Sequence, residues 1–170
     1  LAYLYSSAFR DFVRLRRMAI WVLISFVLFG MAILFKRVNP DKSAEEMYAL
    51  LSSILVFRLL PLASAIFSTA VISQEVEQKT IVYLLTRPIP RGQLIGMRTL
   101  ASVTVVALVT FLGAILVSAA VHGSGALSNP LLWRDLKAII FGAAAYGALF
   151  VFVSLLINRA MIVCLLFAFA

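Results

Sequence analysis

Few side chains in this sequence could take part in catalysis, and their spacing brings no catalytic set together. The carboxylates, the one histidine and the one cysteine are Asp11, Asp41, Glu45, Glu46, Glu75, Glu77, Asp135, His122 and Cys164. No cysteine or carboxylate lies at zinc-ligand spacing from His122, which is expected to be a solvated loop residue. A single cysteine excludes a disulfide within one copy. We therefore predict no catalytic, metal-binding or cofactor-binding residue in this chain.

Arg58 is the charged residue with the most informative position, because it lies inside the apolar stretch 47–73 and shortly before Pro61. An arginine several turns into a membrane span costs at least about 2.5–3.5 kcal/mol on insertion scales. It should therefore face the bundle interior or a wet cavity, or extend towards the headgroups. Two interpretations stay open: a substrate-pathway or gating residue, and a structural arginine satisfied by carbonyls or a partner helix. Pro61 should kink the helix nearby.

Residues 74–98 form the polar segment with the most specific pattern. The part that precedes Pro88 alternates acidic and apolar residues in the manner of a short amphipathic helix, and Pro88 and Pro90 end it. A short helix braced by prolines suits insertion into a groove on a soluble partner. An ordinary interfacial helix that packs on headgroups fits the same pattern, so the residues alone leave both interpretations open.

The elements that position these residues are transmembrane helices. The chain is 64% hydrophobic and 13% charged, with a mean hydropathy of +1.07, whereas a soluble domain carries about 25% charged residues. Four stretches, 18–35, 47–73, 99–121 and 138–157, approach or exceed the roughly 20 residues that a span needs. A fifth begins at residue 160 and stops at 170, and the chain begins at Leu1, so we expect both ends to be truncated.

Basic residues predict the orientation of these spans. The formal net charge is +8, which in so apolar a chain indicates contact with anionic headgroups and not with nucleic acid. Nine of the fifteen basic residues fall on one side: Arg10, Arg14, Arg16, Arg17, Lys79, Arg87, Arg91, Arg98 and Arg159. The opposite side holds Lys36, Arg37, Lys42, Arg134 and Lys137. The positive-inside rule therefore predicts a multi-pass protein of the cytoplasmic membrane with a cytoplasmic N-terminus.

The segment before the first span, residues 1–17, has the pattern of a helix that lies in the membrane interface. At about 100° per residue, Leu1, Leu4, Tyr5, Ala8, Phe12 and Leu15 share one face, and Arg10, Arg14 and Arg17 share the other. A cytoplasmic extension of the first span is the alternative.

Residues 75–91 resemble the signature region of ABC-2 type permeases, in which an acidic pair precedes Thr, a Leu-Leu pair, Pro, a small apolar residue and a basic residue. The matching residues here are Glu75, Glu77, Thr80, Leu84, Leu85, Thr86, Pro88, Ile89 and Arg91. The N-terminal interfacial helix is similar to the elbow helix of that family. Lys79 departs from the pattern, because Gly is common at that position.

The resemblance implies an all-α, polytopic transmembrane helix bundle with an elbow-like helix and a short cytoplasmic coupling helix, here an incomplete six-span permease. It implies pairing with a second permease copy or a homologue, in contact with membrane lipid. An ABC ATP-binding subunit would dock at Glu75, Glu77, Thr80, Leu84, Leu85, Arg87, Pro88 and Arg91. ATP and Mg²⁺ would bind to that partner, since this sequence has no G-x-x-x-x-G-K-[ST] motif.

The leading hypothesis is therefore the permease subunit of an ATP-driven exporter. The alternative is a non-transporting membrane scaffold that anchors a soluble partner through residues 74–98. A secondary transporter fits less well, because none of the carboxylates lies in the middle of a predicted span.

Overall fold

The computed structural model describes residues 5–6, 9, 15–39, 42–77, 91–157 and 160–169. Six α-helices account for most of them: α1 Leu15–Val38, α2 Ala44–Ile54, α3 Leu60–Glu77, α4 Arg91–His122, α5 Pro130–Leu156 and α6 Ala160–Phe169. A π-helical segment, Leu55–Leu59, joins α2 to α3, and a 3-10 segment, Gly123–Ser128, follows α4. The described part of the chain contains no strand. The predicted all-α polytopic fold is confirmed.

Among the described residues, four helical stretches are long and apolar enough to cross a membrane: Ala19–Val38, Ala44–Val71, Ile95–His122 and Pro130–Leu156. They arise from the first four apolar stretches of the sequence. Buried side chains occupy half of the most apolar part of the second and third stretches, and clearly less of the first and fourth. The second and third therefore form the interior of the bundle, and the first and fourth are more peripheral.

Two helices begin at the caps that their sequences encode. The Ser43 side chain accepts a hydrogen bond from the Glu46 backbone N–H at 3.2 Å, at the start of α2. This satisfies one amide that the first helical turn cannot pair. Asn129 does the same for α5, where its side chain accepts from the Leu131 N–H at 3.0 Å and Pro130 occupies the first turn.

The long helix α4 is the centre of the bundle, because α1, α2, α3 and α5 all pack against it. Helix α3 also contacts α5 and α6. The largest fully buried side chains include Tyr48, Phe67, Leu132, Ile139 and Phe150. Large apolar side chains on α1 and α5 remain exposed on the outer surface of the bundle, for example Phe26 and Phe141. This distribution suits a protein whose outer surface is solvated by lipid.

Close helix contact within the bundle relies on a small residue of α5. Ala143 is fully buried and Gly147 is buried beside it. A Cβ added at Gly147 would lie 2.6 Å from Val103 Cγ2 of α4. The pair Ala143 and Gly147 therefore serves an intramolecular contact, as small residues one helical turn apart commonly do in membranes.

Candidate functional site

Arg58 lies in the middle of the second span and belongs to the π-helical segment. It is fourteen residues after Ala44 and thirteen before Val71, which places it about 20 Å along the helix from either end at 1.5 Å per residue. The hydrocarbon core of a bilayer is about 30 Å thick. Arg58 is therefore near the bilayer centre, as its position in the sequence predicts.

The side chain of Arg58 is exposed at the surface of the described bundle, although it also interacts with another group of the protein. Its neighbour Phe57 is 71% exposed, and Ile54, one turn earlier, is 43% exposed. This exposed strip of α2 and the π-helical segment, residues 54, 57 and 58, is called the Arg58 face below. A guanidinium at this depth is costly in lipid, so the Arg58 face needs water, protein or a polar ligand beside it.

A surface cleft lies along α2 on the N-terminal side of the Arg58 face. Its volume is about 500 Å³, and Lys42, Glu46, Ala49, Leu50 and Ser53 line it. The cleft begins at the end of the span that carries the Ser43 cap and reaches Ser53, directly before Ile54. Its lining contains charged and hydroxyl groups, unlike the apolar groove between α4 and α5.

That second groove has a volume of about 480 Å³ and is lined mainly by apolar and small residues, among them Gly96, Leu100, Ala144 and Ala148. Thr99 is its one hydroxyl residue, and its side chain donates to the Ile95 carbonyl at 2.8 Å. The groove therefore presents no unsatisfied polar group and resembles a surface that lipid chains or an apolar helix would cover.

The predicted cytoplasmic contact residues fall largely in residues 78–90, which lie outside the described residues. These are Thr80, Leu84, Leu85, Arg87 and Pro88. Glu75 and Glu77 are in the last turns of α3, and Arg91 is the first residue of α4. Helix α3 continues six residues beyond its span and α4 begins four residues before its own, about 9 Å and 6 Å of helix. The backbone thus carries the segment away from the membrane-spanning region.

These positions form two separate regions and not one site. Arg58 is about 20 Å of helix away from Val71, and Glu75 and Glu77 lie beyond Val71 on the same helix. The structure therefore does not bring Arg58 together with the predicted cytoplasmic contact. Any influence of one on the other has to pass along α3 or through helices packed against it.

The N-terminal segment contacts the bundle at Tyr5. Its hydroxyl donates to Thr104 Oγ1 at 3.2 Å, and its ring stacks on Phe9 with centroids 6.0 Å apart. Thr104 can accept this bond because its own hydroxyl hydrogen goes to the Leu100 carbonyl at 2.8 Å. Tyr5, Ser6 and Phe9 are helical. Most of the predicted interfacial helix, including Arg10 and Arg14, lies outside the described residues.

The expectation that His122 is a solvated loop residue is wrong. His122 ends α4, is only partly exposed, and its ring meets the Tyr48 ring edge-on at 5.7 Å. Its Nε2 lies 3.3 Å from Asn129 Nδ2. Because Asn129 Oδ1 already accepts from Leu131 N–H, Nδ2 is the donor and His122 Nε2 the acceptor.

A buried polar cluster that the sequence does not reveal surrounds His122. The hydroxyl of Tyr48, Nδ1 of His122 and Oδ2 of Asp135 are all buried without a hydrogen-bond partner in the described part of the chain. The 3-10 segment next to this cluster is held by Ser118, which donates to the Ala126 carbonyl, and by Trp133, which donates to the Leu127 carbonyl, both at 3.0 Å. In the sequence, Asn129-Pro130 marks the start of α5 but does not reveal the cluster.

Over the residues that the structure describes, no three His, Cys, Asp or Glu side chains lie close enough to hold a metal ion. Cys164 is buried and unpaired. The described part of the chain thus offers a cation in the middle of a candidate span, a separate cleft along α2 and two helices that continue beyond their spans.

The comparison with protein-family models identifies the family. A model described as "ABC-2 family transporter protein" matches residues 11–170, which is nearly the whole chain. Comparisons with curated proteins and with solved structures return no match. The matched range includes all four candidate spans and residues 75–91, on which the resemblance rests. This multi-pass membrane chain therefore belongs to the ABC-2 family of transporter proteins.

Proposed function

We propose that this permease subunit exports a substrate across the cytoplasmic membrane, driven by ATP that a separate ABC ATP-binding subunit hydrolyses. The observation that carries the proposal is the family match over residues 11–170. The lack of a phosphate-binding loop in the sequence agrees with it. ATP and Mg²⁺ would bind to the partner, and a second permease copy or a homologue would complete the transporter.

The ATP-binding subunit would dock on residues 74–98. The extensions of α3 and α4 beyond their spans support this assignment, because a segment that joins them would lie on the water side of the interface. Glu75, Glu77, Leu84 and Arg91 would contact the partner. Closure of that partner on ATP would push on the segment, and the continuous helices α3 and α4 would pass the movement into the bundle.

Arg58 would be part of the translocation pathway. An exposed guanidinium near the bilayer centre is difficult to explain on a surface that faces lipid. A water-filled route between two permease subunits would hydrate it. The cleft along α2 would be the outer part of the same route.

A scaffold that anchors a soluble complex is the second candidate. It would use the same cytoplasmic segment but would need no polar route through the membrane. The exposed position of Arg58 favours transport over this candidate, because a scaffold gains nothing from a cation at that depth.

Co-purification with the cognate ABC ATP-binding subunit, followed by an ATPase assay in proteoliposomes, tests the proposal. The full chain carrying Glu75→Lys, Glu77→Lys and Leu84→Asp should co-purify with at most about one tenth of the ATP-binding subunit that the wild type retains. A loss of this size is expected when an interface hot spot is removed. Glu45→Lys with Glu46→Lys is the matched control. It reverses the same number of charges on an exposed acidic pair at the other end of the second span.

The control variant should bind the ATPase as the wild type does. Equal retention by both variants would contradict docking at residues 74–98. Binding of an ATPase whose hydrolysis rate does not respond to the membrane subunit would instead favour the scaffold.

A further inference from the structure

We infer that His122 and Asn129 form a proton-sensitive cap at the start of α5, so that protonation of the imidazole breaks one of the hydrogen bonds that hold this helix end. His122 ends α4 and Asn129 directly precedes α5, at the opposite end of α4 from Arg91. Acid on that side of the bundle would loosen the connection between α4 and α5. The inference goes beyond the proposed transport function and does not depend on it.

The hydrogen bonds of Asn129 fix which atom donates and which accepts. The Leu131 N–H can only donate, so the Asn129 atom that lies 3.0 Å from it is the oxygen Oδ1. The other amide atom is therefore Nδ2, a donor, and it lies 3.3 Å from His122 Nε2. A neutral imidazole accepts such a bond with Nε2 and carries its own hydrogen on Nδ1. One amide thus holds both the first turn of α5 and the imidazole that ends α4.

Protonation reverses the role of His122 Nε2. An imidazolium carries a hydrogen on both ring nitrogens and has no acceptor, so Nε2–H would face the hydrogens of Asn129 Nδ2. Turning the amide over would offer Oδ1 to the imidazolium, but it would point Nδ2 at the Leu131 N–H. Either arrangement loses one of the two hydrogen bonds. Histidine ordinarily changes charge between about pH 5 and pH 8, so the loss is expected in this range.

Protons from the solvent can reach His122, which is partly exposed. The groups around it come from three helices. Helix α1 contributes Lys36, whose Nζ donates to the carbonyl of the residue before His122 at 2.8 Å, and α2 contributes Tyr48, whose ring meets the imidazole edge-on. Helix α5 contributes Asp135, whose Oδ1 lies 3.7 Å from Arg134 Nε. The 3-10 segment adds no titratable side chain. Asp135 is therefore the competing titratable group, and a test has to separate it from His122.

Other hydrogen bonds confine the effect of protonation to the start of α5. Ser118 donates to the Ala126 carbonyl and Trp133 to the Leu127 carbonyl, both at 3.0 Å. They tie the 3-10 segment to α4 and α5 without the Asn129 side chain. Helices α4 and α5 also pack directly on each other. Release of the cap should therefore open the first turn of α5 and leave the bundle folded.

Amide hydrogen exchange across a pH series tests the inference in the full chain in detergent, where buffer reaches both ends of the bundle. Fragmentation in the mass spectrometer resolves single amides. The protection factor is the exchange rate of an unstructured peptide divided by the observed rate at the same pH, so the chemical pH dependence cancels. Protection of the Leu131 amide should fall about fivefold from about pH 8 to about pH 5, the factor that loss of one helix cap implies.

The Glu46 amide is the matched control within the same molecule. It is capped by the Ser43 hydroxyl at 3.2 Å, and a serine hydroxyl does not titrate in this range. Its protection should therefore stay the same while that of the Leu131 amide falls.

Asn129→Asp should reverse the response. Aspartate caps a helix as well as asparagine does, and its second oxygen would stand where Nδ2 faces His122 Nε2. That oxygen would accept a charge-assisted hydrogen bond from the imidazolium, so protection of the Leu131 amide should rise on acidification. His122→Gln should make the protection independent of pH. Asp135→Asn should keep the response of the wild type, because the imidazole is the group that titrates.

The inference is overturned by constant protection of the Leu131 amide in the wild type, or by an equal fall at Glu46. An unchanged response in His122→Gln, a fall in Asn129→Asp or a lost response in Asp135→Asn would also overturn it. Asn129→Asp decides the question even if His122→Gln does not fold. The measurement requires no ATPase and the docking test leaves His122 untouched, so failure of the proposed function and failure of this inference can be told apart.

Discussion

At the scale of single residues, Gly147 lies where α5 packs directly against α4. A Cβ at this position would lie 2.6 Å from Val103 Cγ2, and Ser68 Oγ is 3.7 Å away. Valine is branched at Cβ and has one strongly preferred rotamer in a helix, so the methyl group cannot move aside easily. Gly147→Ala should therefore destabilise the bundle by roughly 1–3 kcal/mol, the usual cost of overpacking.

Cys164 is a natural reporter for this prediction. Its side chain is 1% exposed and the chain has no other cysteine, so reaction with a thiol-reactive dye in detergent follows loss of packing. Gly147→Ala should lower the midpoint temperature of dye labelling. Gly30→Ala is the matched control, because nothing lies within 4 Å of a Cβ at Gly30. Its midpoint should stay the same or rise slightly, since Ala is the better helix former.

Shortening the opposing side chain should rescue the variant. Val103→Ala with Gly147→Ala removes the methyl group against which the new Cβ collides, so the double variant should be more stable than Gly147→Ala alone. A Gly147→Ala protein with an unchanged midpoint would show that the two helices separate at little cost.

At the scale of elements, the π-helical segment keeps two packing faces in line. Buried residues recur every four positions through Met47, Leu51 and Leu55, and again through Leu60, Ser64 and Ser68. The step from Leu55 to Leu60 is five. The Leu60 N–H bonds to the Leu55 carbonyl, so this turn contains one residue more than the corresponding turn of an α-helix. The sequence predicts a kink near Pro61. The distortion that the structure shows there is this wider π-helical turn, which precedes the proline.

Removal of one residue from the segment should therefore be tolerated. Deletion of Val56 shortens the step from Leu55 to Leu60 to four and allows a continuous α-helix with both faces still buried. Deletion of Ile66, in the regular part of α3, rotates the two ends of the helix relative to each other by about 100°. The Val56 deletion should give a monodisperse protein with buried Cys164, and the Ile66 deletion should not.

Size-exclusion chromatography and the rate of Cys164 labelling would compare the two deletions. Equal loss of both proteins would mean that the five-residue step does not absorb an extra residue. Equal survival would mean that register within this span is not set by packing.

The π-helical segment also affects the direction in which Arg58 projects. The extra residue lies between the part of the helix that lines the cleft and the part that leads to Glu75 and Glu77. In the Val56 deletion, the direction in which position 58 projects would change although the fold is kept.

At the scale of the whole molecule, the sequence is sufficient for the fold class. The fold class depends on the length of apolar stretches, which the bilayer thickness sets directly. The family follows from the pattern in residues 75–91 and is confirmed by the match. The roles of Glu75, Leu84 and Arg91 as contact residues stay predictions.

The π-helical segment and the polar cluster around His122 could not be predicted in this way. In a membrane, both faces of a helix are largely apolar, and Leu55–Leu59 contains a single charged residue, Arg58, so no polar stripe reveals a change of helical phase. Tyr48, His122 and Asp135 lie on three different helices, far apart in the sequence, so no local sequence pattern links them. Only the packing of α2, α4 and α5 brings such residues together.

The orientation of the whole molecule is the remaining prediction, and the docking proposal depends on it. The two exposed residues Gln93 and Ser128 lie outside the spans, one before Ile95 and one between His122 and Pro130, so the third span separates them. With Cys164→Ser, we expect a membrane-impermeant thiol reagent to label Ser128→Cys on intact cells. Gln93→Cys should react only after the cells are permeabilised, because basic residues are retained on the cytoplasmic side.

The opposite labelling pattern would place residues 74–98 outside the cell. An ATP-binding subunit could not be supplied with ATP there, so the inverted result would contradict docking even if the two proteins bind in detergent. Labelling of both positions on intact cells would mean that Ile95–His122 does not cross the membrane. With the predicted pattern, the ATP-binding subunit would meet residues 74–98 inside the cell, and the cleft lined by Lys42 and Glu46 would open to the outside.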